Sequence, residues 1–301
     1  GYAKIVDAVM AVARGESAPA PTDGAVGARV ARLDGARKVD GTDIFGADEI
    51  PADSLALVAI RSPHHHARFA FGDLDAFVAA HPGVHRVLTA ADVPGENCYG
   101  VIPAFADQPV FAVETARFRG EAVAAVVGEP VAIAALDPAA FPVTWTPLPA
   151  LTDIAAARAP DAPLVHPARA GNLLTEGVVR RGDVAAVFAD AALVTVEGAF
   201  ETGFVEHASI EPEAGFARRV GERIEVQACT QSPYMDRDDV ARVLGLAPEA
   251  VRIIPTAVGG GFGGKLDLSV QPFVALAAWL TNRPVRMVYT RAESMMTTTK
   301  R

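Results

Sequence analysis

The chain has 301 residues, 50% hydrophobic and 21% charged, which is enough apolar material for a buried core and too much for a disordered chain. Its formal net charge of -9 argues against a nucleic-acid-binding face, and no apolar run approaches the roughly 18 residues that a membrane-spanning helix needs. Two cysteines, Cys98 and Cys229, are too few for a disulfide framework or a multi-cysteine metal site, and they fit a reducing, cytoplasmic setting.

The chain opens on Gly1 with no charged and apolar leader, so the expectation is a sequence that starts inside a longer protein. Ile5, Val6, Val9, Met10 and Val12 recur at near-helical spacing up to Gly15, which predicts a short amphipathic helix. Glu16 to Gly27, with Pro19, Pro21, Gly24 and Gly27, has linker composition. A first domain is expected over 34–153, with strands at 55–60, 84–88, 122–127 and 143–145 and a helix at 75–80 closed by Pro82-Gly83. That mixture is α+β. Beyond a second Pro-rich passage, Pro160 to Pro167, come a helix at 183–189, an alternating strand at 193–200, and a hairpin with arms 215–218 and 224–229 around Val220-Gly221. Two strand-to-helix units follow. In the first, the strand 224–229 leads through Thr230-Gln231 to a helix with Ser232 as N-cap, Pro233 at its first position and Gly245 past its end. In the second, the strand 251–254 leads into Gly259-Gly260-Gly261-Phe262-Gly263-Gly264-Lys265, then a helix over about 269–280 and a strand at 285–289.

Five glycines around one phenylalanine leave backbone N–H groups unshielded by side chains and open to an anionic ligand. As a phosphate loop, the run satisfies the spacing from Gly259 to Gly264-Lys265, but Leu266 stands where a hydroxyl for Mg²⁺ is required. As a dinucleotide fingerprint it satisfies Gly259-x-Gly261-x-x-Gly264, with Glu293 late for the ribose carboxylate. A tight turn that only packs a helix on a strand is the third reading.

The pair Ala228-Cys229-Thr230-Gln231-Ser232-Pro233 and Val258-Gly259-Gly260-Gly261-Phe262-Gly263-Gly264-Lys265 resembles the molybdopterin-binding subunit of the xanthine dehydrogenase and aldehyde oxidase family, the molybdenum hydroxylases. The likeness runs through Ser62 to Arg68, His81-Pro82-Gly83-Val84, Thr89 to Gly95 and Gly120-Glu121-Ala122-Val123, which look like the family's α/β hammerhead domain. His207 to Pro212 and Arg283 to Arg286 look like the opening of its mixed α/β molybdopterin-binding domain. The resemblance implies a division into a tail helix of a 2Fe-2S domain (1–15), a linker (16–33), a hammerhead domain (34–153) and the first, incomplete part of the molybdopterin domain (154–301). It implies oxidation of an aldehyde or N-heterocycle C–H bond with water-derived oxygen, by an oxidoreductase that holds molybdenum through molybdopterin, in one form as the cytosine dinucleotide. It also implies 2Fe-2S clusters and FAD on other domains or subunits, in an oligomeric assembly.

Carried over residue by residue, the resemblance gives Gln231 a hydrogen bond to the molybdenum oxo group. It gives Gly260, Gly261, Phe262, Gly263 and Gly264 the packing on the cofactor, and Leu266 with Phe262 the substrate pocket. No protein side chain is expected to ligate the metal, because the pterin holds it. Leu266 replaces the glutamate that many xanthine-oxidising members carry there, so an aldehyde or another heterocycle is favoured over xanthine. The family's general-base glutamate lies far downstream of the glycine motif, which makes the isolated chain inactive on this reading. The rival functions are a nicotinamide-dependent dehydrogenase using 259–264 as a Rossmann turn, and a non-catalytic assembly module. Consecutive His64, His65 and His66 cannot share a face and are read as a solvated loop, His207 and Glu211 as a local polar pair, and Cys229 as a small core residue.

Overall fold

The computed structural model describes residues 3–16 and 31–298, so 17–30 of the expected linker and the first two residues lie outside the described residues. The backbone forms two compact units, Gly1–Ile44 and Phe45–Arg301. In the first, α1 (Ala3–Ala13) bears out the amphipathic helix and leaves Ile5, Val6 and Val9 exposed, while α2 (Gly35–Asp40) ends on Gly41 at φ 76°.

The second unit opens with β1 (Leu55–Arg61), β2 (Ala67–Phe71), α3 (Leu74–Ala80), β3 (Val84–Leu88), β4 (Thr115–Ala116), β5 (Ala122–Gly128), α4 (Pro130–Ala135) and β6 (Val143–Pro147). It continues with α5 (Ile154–Ala157), α6 (Val184–Ala189), β7 (Ala214–Val220), β8 (Arg223–Ala228), α7 (Pro233–Leu244), β9 (Val251–Pro255), α8 (Gln271–Thr281), β10 (Val285–Val288) and α9 (Arg291–Thr297). Among the described residues the strands form a seven-stranded sheet, β3-β5-β1-β10-β7-β8-β9, and a three-stranded sheet, β4-β2-β6. The larger sheet therefore draws strands from both halves of the sequence.

β5 consists only of Ala, Val and a closing Gly. Its whole length is buried and feeds two cores: Ala122, Ala125 and Val127 join the one under α7 and α8, and Val123, Ala124 and Val126 join the aromatic one, the alternation slipping at 123–124 where the register with β1 shifts. That second core gathers Phe77 and Phe141, packed edge to face with centroids 5.1 Å apart, beside Phe69, Phe71 and Trp145 of the small sheet.

The Rossmann reading fails here. Only β1–β10 and β8–β9 pair in parallel; the other neighbours in the large sheet run antiparallel. After β9 and α8 the chain returns to β10, between β1 and β7, rather than to a parallel neighbour of β9. The strand expected at 193–200 is also absent. Val194, Val196 and Phe200 are exposed, and no described neighbour pairs with that backbone, so its alternation has no ladder to join. Ser232 takes the N-cap position of α7 without a side-chain cap bond; its own N–H donates to Thr230 Oγ1 at 2.9 Å. Gly245 ends that helix at φ 64°, as its sequence position predicts.

α7 and α8 are joined by a buried bond from Gln271 Nε2 to Asp236 Oδ2, 3.0 Å. Burial pushes the Asp236 carboxyl up to about 7. The folded state thus holds this proton more tightly than the unfolded chain, whose carboxyl titrates near 3.8, and stability falls as pH rises through that window to about 7. Asp236→Asn keeps an acceptor for Gln271 and removes the titration. Its urea midpoint should vary less between roughly pH 5 and pH 8 than the parent's; identical slopes would show that Asp236 does not set the pH dependence.

Candidate active site

The parallel register of β8 on β9, which ends with Ala228 opposite Pro255, sends both chains out at one edge of the sheet. Thr230-Gln231 therefore emerges beside the glycine run. Gln231 N donates to Lys265 O at 3.0 Å, and Gln231 Oε1 accepts from Gly263 N at 3.1 Å and from Lys265 N at 3.3 Å. With that oxygen occupied by two backbone donors, the carboxamide NH₂ is held in one direction, and no described residue accepts from it.

The loop's shape depends on residues that tolerate unusual backbone angles. Gly260 has φ 104°, Gly263 φ 91°, and Phe262 itself φ 52°, with its ring 74% exposed beside Gly260. Gly261 is required by closeness: a Cβ there would stand 2.4 Å from Gln231 Oε1. Gly263 is flanked by open space, and a Cβ on Gly264 would meet His207 Nδ1 at 3.0 Å. That nitrogen is buried without a hydrogen-bond partner among the described residues.

A buried ion pair anchors the loop. Glu211 Oε2 accepts from Gly259 N and from Lys265 Nζ, each at 2.8 Å, and Lys265 Nζ also donates to Glu211 O at 3.0 Å. Glu211 Oε1 accepts from Gly46 N at 3.0 Å. His207 and Glu211 belong to no helix, so their spacing of four does not make a shared face. Sequence reading missed this pairing; its signal was a lysine closing the glycine run together with a glutamate before Pro212.

Cys229 is buried against Ala214 N, 3.4 Å from Sγ, and burial pushes its thiol up, which suits a core residue and not a nucleophile. The three histidines part company. His64 meets Trp145 edge to face, His66 Nδ1 lies 2.8 Å from Pro149 O, and His65 borders a cavity of about 900 Å³. That cavity is bounded at the glycine loop by Gly264 and Asp267, and elsewhere by Tyr99, Phe105, Phe273 and Tyr289. Leu266 is half-buried in the turn Gly264–Leu266 and does not line it.

Residues 41–149 match the aldehyde oxidase and xanthine dehydrogenase a/b hammerhead domain, and residues 165–301 match the molybdopterin cofactor-binding domain. The chain is 36% identical over 279 residues to the nicotinate dehydrogenase large molybdopterin subunit of Eubacterium barkeri, covering 92% of this chain and 64% of that subunit. It is similar to the solved aldehyde oxidoreductase of Desulfovibrio gigas, with TM-score 0.88 and 31% identity over 100% of this chain and 35% of that one. Quinoline 2-oxidoreductase of Pseudomonas putida 86 gives TM-score 0.78 and 31% identity over 88% of this chain and 34% of that one. The chain thus spans part of the length of each.

The residues present fit a molybdenum-pterin group. The bare backbone at Gly263, the exposed Phe262 ring and the fixed Gln231 NH₂ offer a flat apolar contact beside hydrogen-bond donors. Two matched domains in the order hammerhead then cofactor-binding, together with the likeness to the aldehyde oxidoreductase structure, lead to one conclusion: the chain belongs to the molybdopterin-binding subunit of the xanthine dehydrogenase and aldehyde oxidase family.

Proposed function

We propose that the chain supplies part of the active site of a molybdenum hydroxylase that inserts a water-derived oxygen at a C–H bond of an aldehyde or N-heterocycle. The observation that carries this reading is the Gln231 carboxamide, whose oxygen is held by Gly263 N and Lys265 N so that its NH₂, from which no described residue accepts, is left as a preorganised donor. When bound, the molybdenum-pterin cofactor supplies the redox centre for the oxidation. Gln231 would orient an acceptor oxygen on that group, Phe262 would pack on it, Gly263 would leave its backbone bare toward it, and Gly260, Gly261 and Gly264 would shape the loop around Gln231, Phe262 and His207.

Glu211 is committed to Lys265 and two loop amides, which supports placing the general base in the remainder of the molybdopterin domain. The chain by itself is then inactive, and 2Fe-2S clusters and FAD carried by other domains or subunits would supply the onward electron transfer. The cofactor is read as the cytosine dinucleotide form. Leu266 does not line the cavity and supplies no carboxylate toward it, which favours an aldehyde or a heterocycle other than xanthine; the similar proteins are named for nicotinate, quinoline, aldehyde and xanthine alike.

Molybdenum analysis with pterin extraction from the intact gene product tests the reading: both should be present in stoichiometric amount, whereas their absence would leave only an assembly role. In the same preparation kcat/KM for an aromatic aldehyde should exceed that for xanthine. The reverse order would remove the argument from Leu266.

A further inference from the structure

One wall of the 900 Å³ cavity is the loop 99–108. Its base is closed by Tyr99 and Gln108, which exchange backbone bonds of 2.9 and 3.3 Å, and Ile102 and Phe105 of the loop border the cavity. Just before it, the chain lies across the C-terminal end of α7. Gly95 N donates to Val243 O and Glu96 N to Arg242 O, both at 3.0 Å, satisfying carbonyls that a helix end leaves without partners. The approach is close enough that a Cβ on Gly95 would stand 2.0 Å from Arg242 O.

Two carboxylates then take hold of the loop itself. Asp239 Oδ2 accepts from Gly100 N and Asp267 Oδ1 from Val101 N, each at 3.3 Å. Asp239 sits on α7, buried, and is held by Arg242 Nη2 at 3.0 Å. Asp267 directly follows the turn Gly264–Leu266 that ends the glycine run. The cavity wall is therefore registered against the same backbone that positions Gln231, although it comes from the hammerhead half of the sequence.

We infer that Asp239 and Asp267 are positioning residues that latch the loop 99–108 in place as the size-selecting wall of the substrate cavity. The inference rests on the proposed function in one respect, that the cavity beside Gly264 receives the substrate. Consecutive amides, Gly100 and Val101, gripped from two different elements fix both the height and the tilt of the loop. Without either grip Ile102 and Phe105 move off the cavity, and a ring-sized substrate loses contact that a two-carbon substrate never made.

The test compares Asp239→Ala, Asp267→Ala and Asp267→Asn in the assembled holoenzyme by amide hydrogen exchange and by kinetics with benzaldehyde and acetaldehyde. Exchange at Gly100 and Val101 should quicken about tenfold or more in the alanine variants. Asp267→Asn, which keeps an acceptor oxygen, should stay close to the parent. KM for benzaldehyde should rise about fivefold or more, with smaller changes in kcat and in KM for acetaldehyde. Unchanged exchange in both alanine variants, an equal KM rise for the two aldehydes, or an Asn variant as damaged as the Ala variant would each overturn the latch. Should the parent enzyme oxidise neither aldehyde, the proposed function fails, and the exchange data still decide whether the two carboxylates hold the loop.

Discussion

Glu211→Ala is expected to lower folding stability by roughly 3–5 kcal/mol, because it leaves the Lys265 ammonium buried without its counter-charge. The side chains are only 2% and 11% exposed, so water cannot replace the lost partner. The same substitution removes the acceptor for Gly259 N and Gly46 N, which frees the start of the glycine loop from its anchor. Removing both charges is a different matter. Glu211→Gln with Lys265→Met takes away the desolvation cost along with the attraction, and should recover most of the stability that Glu211→Ala loses. Urea denaturation of the single and double variants measures the difference, and molybdenum content reports the loop separately. If the double variant is as unstable as Glu211→Ala, the ion pair is a net stabiliser and the buried lone charge is not the main cost. If Glu211→Ala itself unfolds at the parent's midpoint, the pair does not anchor the fold at all.

That anchor also shows what a linear reading of this sequence reaches. The unit from β8 through α7 was legible because its signals are local: Pro233 at the first helical position, Gly245 just past the last, and alternation before them. The glycine run was legible as an anion-facing loop for the same reason. Lys265 and Glu211 lie 54 residues apart and meet only because Glu211 crosses the exit of β9, so no spacing rule could find them. β2 escaped notice because five residues after a histidine run carry little periodicity, and its order comes from Phe69 and Phe71 packing with Trp145 and Phe141. The segment 193–200 shows the opposite error: alternation names a face but supplies no partner strand. Gln231 and Phe262 carried no site signal of their own in composition or spacing. The family resemblance singled them out, and the structure brings Gln231 onto the loop that holds Phe262.

Gln231→Ala should slow substrate oxidation by about 10²–10³-fold in the full enzyme with cofactor content unchanged, the usual cost of losing one preorganised donor. Gly261→Ala is expected to do nearly the same without touching Gln231 in sequence. The new Cβ would fall 2.4 Å from Gln231 Oε1 and 2.5 Å from its Cδ, and the cheapest relief is for the flexible carboxamide to swing off Gly263 and Lys265. Gly261 has no left-handed backbone angle to lose, so stability should change by only about 1 kcal/mol or less. Gly259→Ala makes a useful contrast, since its Cβ would press on Glu211 Cβ at 2.5 Å, a rigid stem, and should cost stability first. In a double-mutant cycle, Gln231→Ala with Gly261→Ala should be no slower than Gln231→Ala alone, because truncating the side chain removes the clash together with the donor. Additive losses in that cycle would mean that Gly261 serves the site by a route other than Gln231. A Gly261→Ala enzyme with full turnover would mean that the position of the carboxamide does not govern the rate.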